Sequence, residues 1–374
     1  MKKNMLGILS GLVLFIIILG GCGTSTPSDE ASEQNTVKAS ENQEVAGKGK
    51  RRFYFTADEG GSVTKIDATD NTVVDSLSVD GTVHNVQVSP DGKTLGMTVI
   101  PGGEGHDNTT EGEDKHSDTK ADTHENDGMN GVAMFYDLEE DRWIEKVEVG
   151  SHPAHIDFTG DQRYALVTNN ESNTVSIIDT SNYQVVDTVD TGKGPHGFRI
   201  ASEGSIAYVA NMGENTISII DLKTMKEEKR IQVGGAPVTT AITSDGKTLV
   251  TTLHTENKVA IVDLETDEII KTEVGEGPAQ VYIQSNDQYA FIANQGSENA
   301  PADSVTKIDL STGEAIATIQ TGKGTHGVVI SPDDRYIYVT NMFEDTVSVI
   351  QNEKNKVIKT IEVGSIPNGI SIMP

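Results

Sequence analysis

A short phrase returns seven times along this chain: an apolar, strand-like run ending near Val-Gly, a brief loop, then a new apolar run. Its glycines are Gly81, Gly150, Gly192, Gly234, Gly275, Gly322 and Gly364, separated by 69, 42, 42, 41, 47 and 42 residues. A period near 42 means one supersecondary unit copied many times, so the architecture has to be read before any site. Periods of roughly 40–45 residues holding four strand-like runs each are those of a β-propeller blade.

One unit shows the four runs clearly: Gly197–Ala201, Ile206–Asn211, Thr216–Asp221 and Lys229–Val233. Short β-branched runs bounded by Gly, Asn and Asp are strand signals. Turn chemistry recurs between first and second runs, in Ser89-Pro90-Asp91-Gly92, Ser244-Asp245-Gly246 and Ser331-Pro332-Asp333-Asp334. The folded part begins with a second-strand sequence, Phe53-Tyr54-Phe55-Thr56, and ends with a first-strand sequence, Gly369–Met373. The expected fold is therefore all-β: a seven-bladed propeller of four-stranded blades, 28 strands in all, whose C-terminal strand closes the N-terminal blade. With only 5% aromatic residues, the blades should pack mainly through Val and Ile.

Tyr338-Val339-Thr340-Asn341, Leu166-Val167-Thr168-Asn169, Tyr208-Val209-Ala210-Asn211 and Phe291-Ile292-Ala293-Asn294 give the chain its resemblance to the YVTN-repeat β-propellers. The resemblance covers everything after residue 50 and implies fold. It assigns no function, since such propellers serve as binding scaffolds, surface proteins and cofactor-binding domains.

The N-terminus reads as an address. Lys2 and Lys3 precede an apolar run from Met5 to Leu19, followed by Gly20, Gly21 and Cys22. This is the pattern of a secretory signal peptide, too short for a comfortable permanent span. Leu19-Gly20-Gly21-Cys22 resembles the bacterial lipobox, which implies acylation of Cys22, palmitate being a typical chain, and anchoring to an outward membrane face. Cys22 is the one cysteine of the chain, so neither a disulfide framework nor a thiolate metal site is available. Residues 1–21 are thus the expected signal, 22–50 the lipidated cysteine and a polar tether, and 51–374 the propeller.

Strands A (inner) to D (outer) of a propeller place the A–B and C–D turns on one face and the D–A and B–C loops on the other. His84, His152, His155, His196 and His326 fall in D–A loops or at the start of inner strands, and His254 falls in a B–C loop. His106, His116 and His124 lie in an insertion, residues 102–131, between the B and C strands of the first complete blade. That insertion holds nine Asp or Glu and no Leu, Ile, Val or Phe, and it accounts for the interval of 69. All nine histidines therefore map to one face. Imidazoles and carboxylates together suit Zn²⁺ and related ions. His84, His155 and His196, on consecutive blades, are the expected core of a site, with His326 across the channel. Thr239, Gln280 and Asn368 stand at the corresponding place in the other blades, and Met212 and Met342 at matching B–C positions would tilt preference toward copper.

The formal charge of −28, or −30 without Lys2 and Lys3, repels phosphate and makes nucleic acid a poor partner. The chain has no Gly-x-Ser-x-Gly elbow, no His-Glu-x-x-His, no phosphate-binding glycine loop and no Cys-x-x-Cys-His haem attachment. Together these features predict a lipid-anchored extracytoplasmic propeller that binds Zn or Cu for capture, delivery or sensing, with a metal transporter or another surface protein as partner. Such a protein is similar in architecture and residue type to propeller-type periplasmic zinc chaperones. Two alternatives stand beside it: a cell-surface interaction scaffold without metal, and a metal-dependent lactonase-like hydrolase.

Overall fold

The computed structural model describes residues 51–102 and 130–374. The expected signal sequence and tether, with Cys22, and His106, His116 and His124 lie outside the described residues. Twenty-eight strands form seven four-stranded antiparallel sheets, as the repeat count requires. The innermost strands of blades one to seven are Thr82–Val88, Pro153–Phe158, Pro195–Ile200, Pro237–Ile242, Pro278–Ile283, Thr325–Ile330 and Pro367–Ile372. The last of these pairs with Phe53–Asp58, Tyr54 lying opposite Ile372 and Thr56 opposite Ile370. The first and last described strands thus share one sheet and leave no open edge between first and last blades.

The inner two strands of each blade are covered on both faces and read as nearly continuous apolar or Thr-rich runs. Tyr289–Ser297, for instance, stays buried through Asn294. The outer strands are exposed along most of their length, as in Gln184–Asp190. Seven apolar clusters result, one for each interface between adjacent blades. Leu166 and Ile177 of blade two, for example, pack with Phe198 and Val209 of blade three. Val and Ile dominate, as the low aromatic content implied. The longer interval of 47 arises in blade five, where the B–C hairpin is extended so that Ser297 pairs with Ala300.

The A–B turns close as their residues dictate. Ser89 Oγ donates to Asp91 Oδ1 at 2.7 Å, the Lys93 amide donates to the same oxygen at 3.1 Å, and Gly92 takes the left-handed conformation. Ser331 and Asp333 repeat the device in blade six.

The repeated Val-Gly and Asn signals turn out to be two halves of one contact. Asn169, Asn211 and Asn341 end their B strands, Asn294 holds the same place before the extended blade-five hairpin, and each amide Nδ2 donates to two hydroxyls of the neighbouring C strand. The loop glycine of the preceding blade lies flat on that amide. A β-carbon on Gly150, Gly192, Gly275 or Gly322 would come within 2.6–2.7 Å of the asparagine side chain. In two of these pairs the glycine N–H also donates to the asparagine oxygen at 3.1 Å. Asp58 takes the asparagine's place in blade seven, accepting from Thr56, Ser62 and Thr64, and Gly364 packs on it.

Replacing Gly192 by Ala is expected to destabilise the fold by about 1–3 kcal/mol through overpacking against Asn211. Asn211→Ala should cost a similar amount through lost hydrogen bonds, and the double variant clearly less than the sum. Denaturant unfolding of the four-member cycle measures this; additivity within ~0.5 kcal/mol would show that the contact is not shared.

Candidate functional site

Each inner strand carries a bulge where it enters the channel mouth. In blade two Pro153 pairs with Asn169 and Ile156 with Val167, so Ala154 and His155 together face Thr168 alone. The same two-against-one count holds in blades three to six. In blades one and seven the extra residues are His84 and Asn368. A bulge re-aims side chains, and here it sets one polar residue per blade at the mouth: His84, His155, His196, Thr239, Gln280, His326 and Asn368. Where the polar side chain comes from the first bulge position, the second is glycine, as in His196-Gly197, His326-Gly327 and Asn368-Gly369. Where it comes from the second, the first is aliphatic: Val83, Ala154, Val238 or Ala279. The glycines are a packing necessity. A β-carbon on Gly197 would strike Thr239, and one on Gly369 would lie 2.9 Å from Asn85 Nδ2. The staggered histidine columns of the sequence are therefore two ways of filling one ring.

Four imidazoles gather on the blade-one to blade-three side. The His84 ring centroid is 5.4 Å from that of His196, 6.4 Å from that of His155 and 6.1 Å from that of His152, and His155 and His196 are 5.0 Å apart. His326 lies across the channel, its Nδ1 3.1 Å from the Asn368 carbonyl. His254 stands in a short 3₁₀ turn, His254–Glu256, as the B–C assignment required, with Nδ1 3.4 Å from the Pro278 carbonyl. Met342 is buried and its sulfur lies 3.4 Å from the Gln295 amide nitrogen, which donates to it.

Two participants stand outside the set of ligands expected from the sequence. His152, held in a left-handed conformation with φ 51°, joins the cluster through its ring. Glu59 lies beneath His84, with Oε1 3.0 Å from His84 Nδ1 and 2.6 Å from Asn368 Nδ2. A weak signal for Glu59 exists: it follows Asp58 as Met212 follows Asn211 and His254 follows Leu253, in the same B–C column.

The hydrogen bonds fix where the lone pairs are. The Val238 carbonyl can only accept, so His196 Nδ1, 3.2 Å away, carries its hydrogen and Nε2 presents a lone pair. His84 Nδ1 donates to the Glu59 carboxylate. Burial pushes that carboxyl's pKa upward, but the His84 hydrogen bond and charge and the Asn368 amide outweigh it and hold it below the usual range. His84 Nε2 and His196 Nε2 then face each other at 3.3 Å. Two neutral imidazoles so oriented would oppose lone pair to lone pair, so the pair calls for a cation between them, either a proton or a metal ion. Tetrahedral coordination at about 2.0–2.1 Å sets neighbouring nitrogens about 3.3–3.4 Å apart, which matches the observed separation.

Burial, reinforced by the neighbouring imidazoles, holds His155 and His196 well below the ordinary histidine range, and burial likewise lowers His152 and brings His326 to about 4. At neutral pH these rings are uncharged donors. His155 Nε2, Thr239 Oγ1, Gln280 Nε2 and Asn368 Oδ1, all in the mouth ring, are buried without a hydrogen-bond partner among the described residues. Partnerless buried polar atoms in a channel are places for water or a ligand. Among the described residues, no three His, Cys, Asp or Glu side chains already surround one common ion position.

A family model described as YNCE-like beta-propeller matches residues 114–290. No curated protein gives a significant match. Among solved structures, the chain is similar to hydrazine synthase of Kuenenia stuttgartiensis, with TM-score 0.64, 20% identity, and coverage of 77% of this chain and 89% of that one. The periplasmic gluconolactonase of Pseudomonas aeruginosa gives TM-score 0.66 at 16% identity over 87% of this chain and 99% of that one. A putative 6-phosphogluconolactonase from Bacteroides fragilis gives TM-score 0.66 at 12% identity, over 87% and 98%. At these identities the likeness is one of fold.

The neutral, buried His326 sets a pH dependence. The unfolded chain takes up a proton at this residue below about 6.5, whereas the folded chain resists until about 4. The associated stability is fully present above 6.5 and is lost as pH falls through that window, by up to ~3 kcal/mol. Urea unfolding of wild type and His326→Asn at pH 7.5 and 4.5 measures it. The variant should lose clearly less stability on acidification, and equal losses would contradict the assignment.

Proposed function

We propose that this protein is a lipid-anchored extracytoplasmic propeller that captures a transition-metal ion at its channel mouth. The observation that carries the reading is the His84–His196 pair, two Nε2 atoms 3.3 Å apart with both Nδ1 atoms committed elsewhere. A ligating histidine whose other nitrogen is tied to a carboxylate or carbonyl has the orientation and basicity that metal binding requires. Glu59 and the Val238 carbonyl are those second partners.

His84 and His196 would hold the ion. His155, with its unpartnered Nε2, is placed to supply a third nitrogen once its ring turns toward the pair, and His152 a fourth. An all-imidazole set suits Zn²⁺ and copper. The ion would sit among neutral rings beside the Glu59 carboxylate. The acidic insertion with His106, His116 and His124 would raise the local cation concentration, and the net charge of −28 acts in the same direction. The anchor rests on the sequence around Cys22. Capture, delivery and sensing need only reversible binding. The fold likeness to lactonases carries no reaction to this chain.

Elemental analysis and titration of the full-length protein with Zn²⁺ and Cu²⁺ test the reading. One tightly held ion per chain is expected, with His84→Ala and His196→Ala each weakening it by about 10-fold or more and Glu59→Gln by ~10–100-fold. Binding that survives the His84→Ala/His196→Ala double variant would overturn it.

A further inference from the structure

On the face opposite the histidines, blades five and six enclose a cavity of about 370 Å³ whose lining includes Gln284, Tyr289, Lys307, Tyr336, Gln351 and Asn352. Lys307 is 7% exposed. Its ammonium lies 3.1 Å from Asn352 Oδ1 and 3.5 Å from Asn355 Oδ1, and 4.1 Å and 5.2 Å from the ring centres of Tyr289 and Phe291. Among the described residues it makes no ion pair, although this chain has 57 acidic side chains against 29 Lys and Arg.

A buried charge is ordinarily paired, and this one is met only by neutral oxygens and ring faces. Burial accordingly lowers its pKa. An ammonium has three hydrogens, and the two amide acceptors leave one for another partner. The Asn352 amide is itself held in place. Its Nδ2 donates to the Asp334 carbonyl at 2.8 Å and to Gln284 Oε1 at 3.3 Å, which turns its oxygen toward Lys307. The Asp334 carboxylate at the edge of the cavity accepts from the Ser285 amide and hydroxyl and makes no ion pair with the lysine. The volume falls in the range of metabolite sites.

We propose that this cavity is a second binding site, distinct from the channel mouth, for a small molecule bearing a carboxylate or phosphate group, with the Lys307 ammonium as anchor. The oxyanion supplies the missing counter-charge, Gln284, Gln351 and Tyr336 offer hydrogen bonds to the rest of the ligand, and the exposed Glu353 at the rim favours a ligand that also carries hydroxyl or amine hydrogens.

Succinate and inorganic phosphate, titrated at constant ionic strength into the full-length protein, probe both oxyanion types. A saturable rise in unfolding temperature is expected with at least one of them. The rise should be absent in Lys307→Met and at least tenfold weaker in apparent affinity in Lys307→Arg. NMR of protein labelled at lysine Cε follows the same site in the wild type, where one lysine resonance should shift saturably with the anion. No saturable response to either probe in wild type, or an undiminished response in Lys307→Met, would overturn the proposal.

Discussion

Successive blades are joined by a contact that leaves no room for a β-carbon. The asparagine ending one blade's second strand pins the start of its third strand through two hydroxyls, and the glycine ending the previous blade lies against the same amide. Strand pairing within a blade, the loop between blades and the spacing of the ring meet at that point. It recurs with asparagine at four interfaces and with Asp58 at a fifth, while Gly81 packs on Val99 and the Ile100 carbonyl and Gly234 on Glu256 and Lys271. The apolar clusters supply most of the stabilisation, but their attraction is non-directional, whereas this contact fixes one alignment of glycine and asparagine.

The mouth depends on that spacing. In blades two to seven each inner strand begins three residues after the glycine, and in every blade the bulge delivers one polar side chain to the channel. Aliphatic and glycine partners within the bulge decide which of two positions supplies it. The consequence is chemical asymmetry within structural symmetry. Imidazoles collect on blades one to three, hydroxyl and amide groups on blades four, five and seven, and Glu59 fixes the tautomer of His84 from the blade next door. A ring of imidazoles beside one carboxylate, in a chain of strongly negative charge, is an environment that favours a cation over an anion.

The period, the closing strand, the turn chemistry and the face of each described histidine were all legible in the sequence, because each depends on spacing or on local residue type. What spacing could not supply was direction. His196 and His155 occupy different columns, and only the bulge, a departure from regular pairing, brings their rings within 5.0 Å. Glu59 is hard to single out because acidic residues are abundant and its partner is 25 positions away. His152 falls on the expected face, but its left-handed backbone, which turns the ring into the cluster, has no signature in residue type. The role of the repeated glycine is hidden likewise: it reads as a loop residue until the neighbouring blade's asparagine is set against it.

The most direct test is anomalous diffraction from crystals grown with one equivalent of Zn²⁺ or Cu²⁺, recorded on either side of the metal edge. A metal-binding mouth predicts a single strong peak at about 2.0–2.1 Å from both His84 Nε2 and His196 Nε2, with a third imidazole nitrogen completing the set. A mouth without a peak, the two nitrogens still facing each other across a proton and the ion found elsewhere or nowhere, would contradict it.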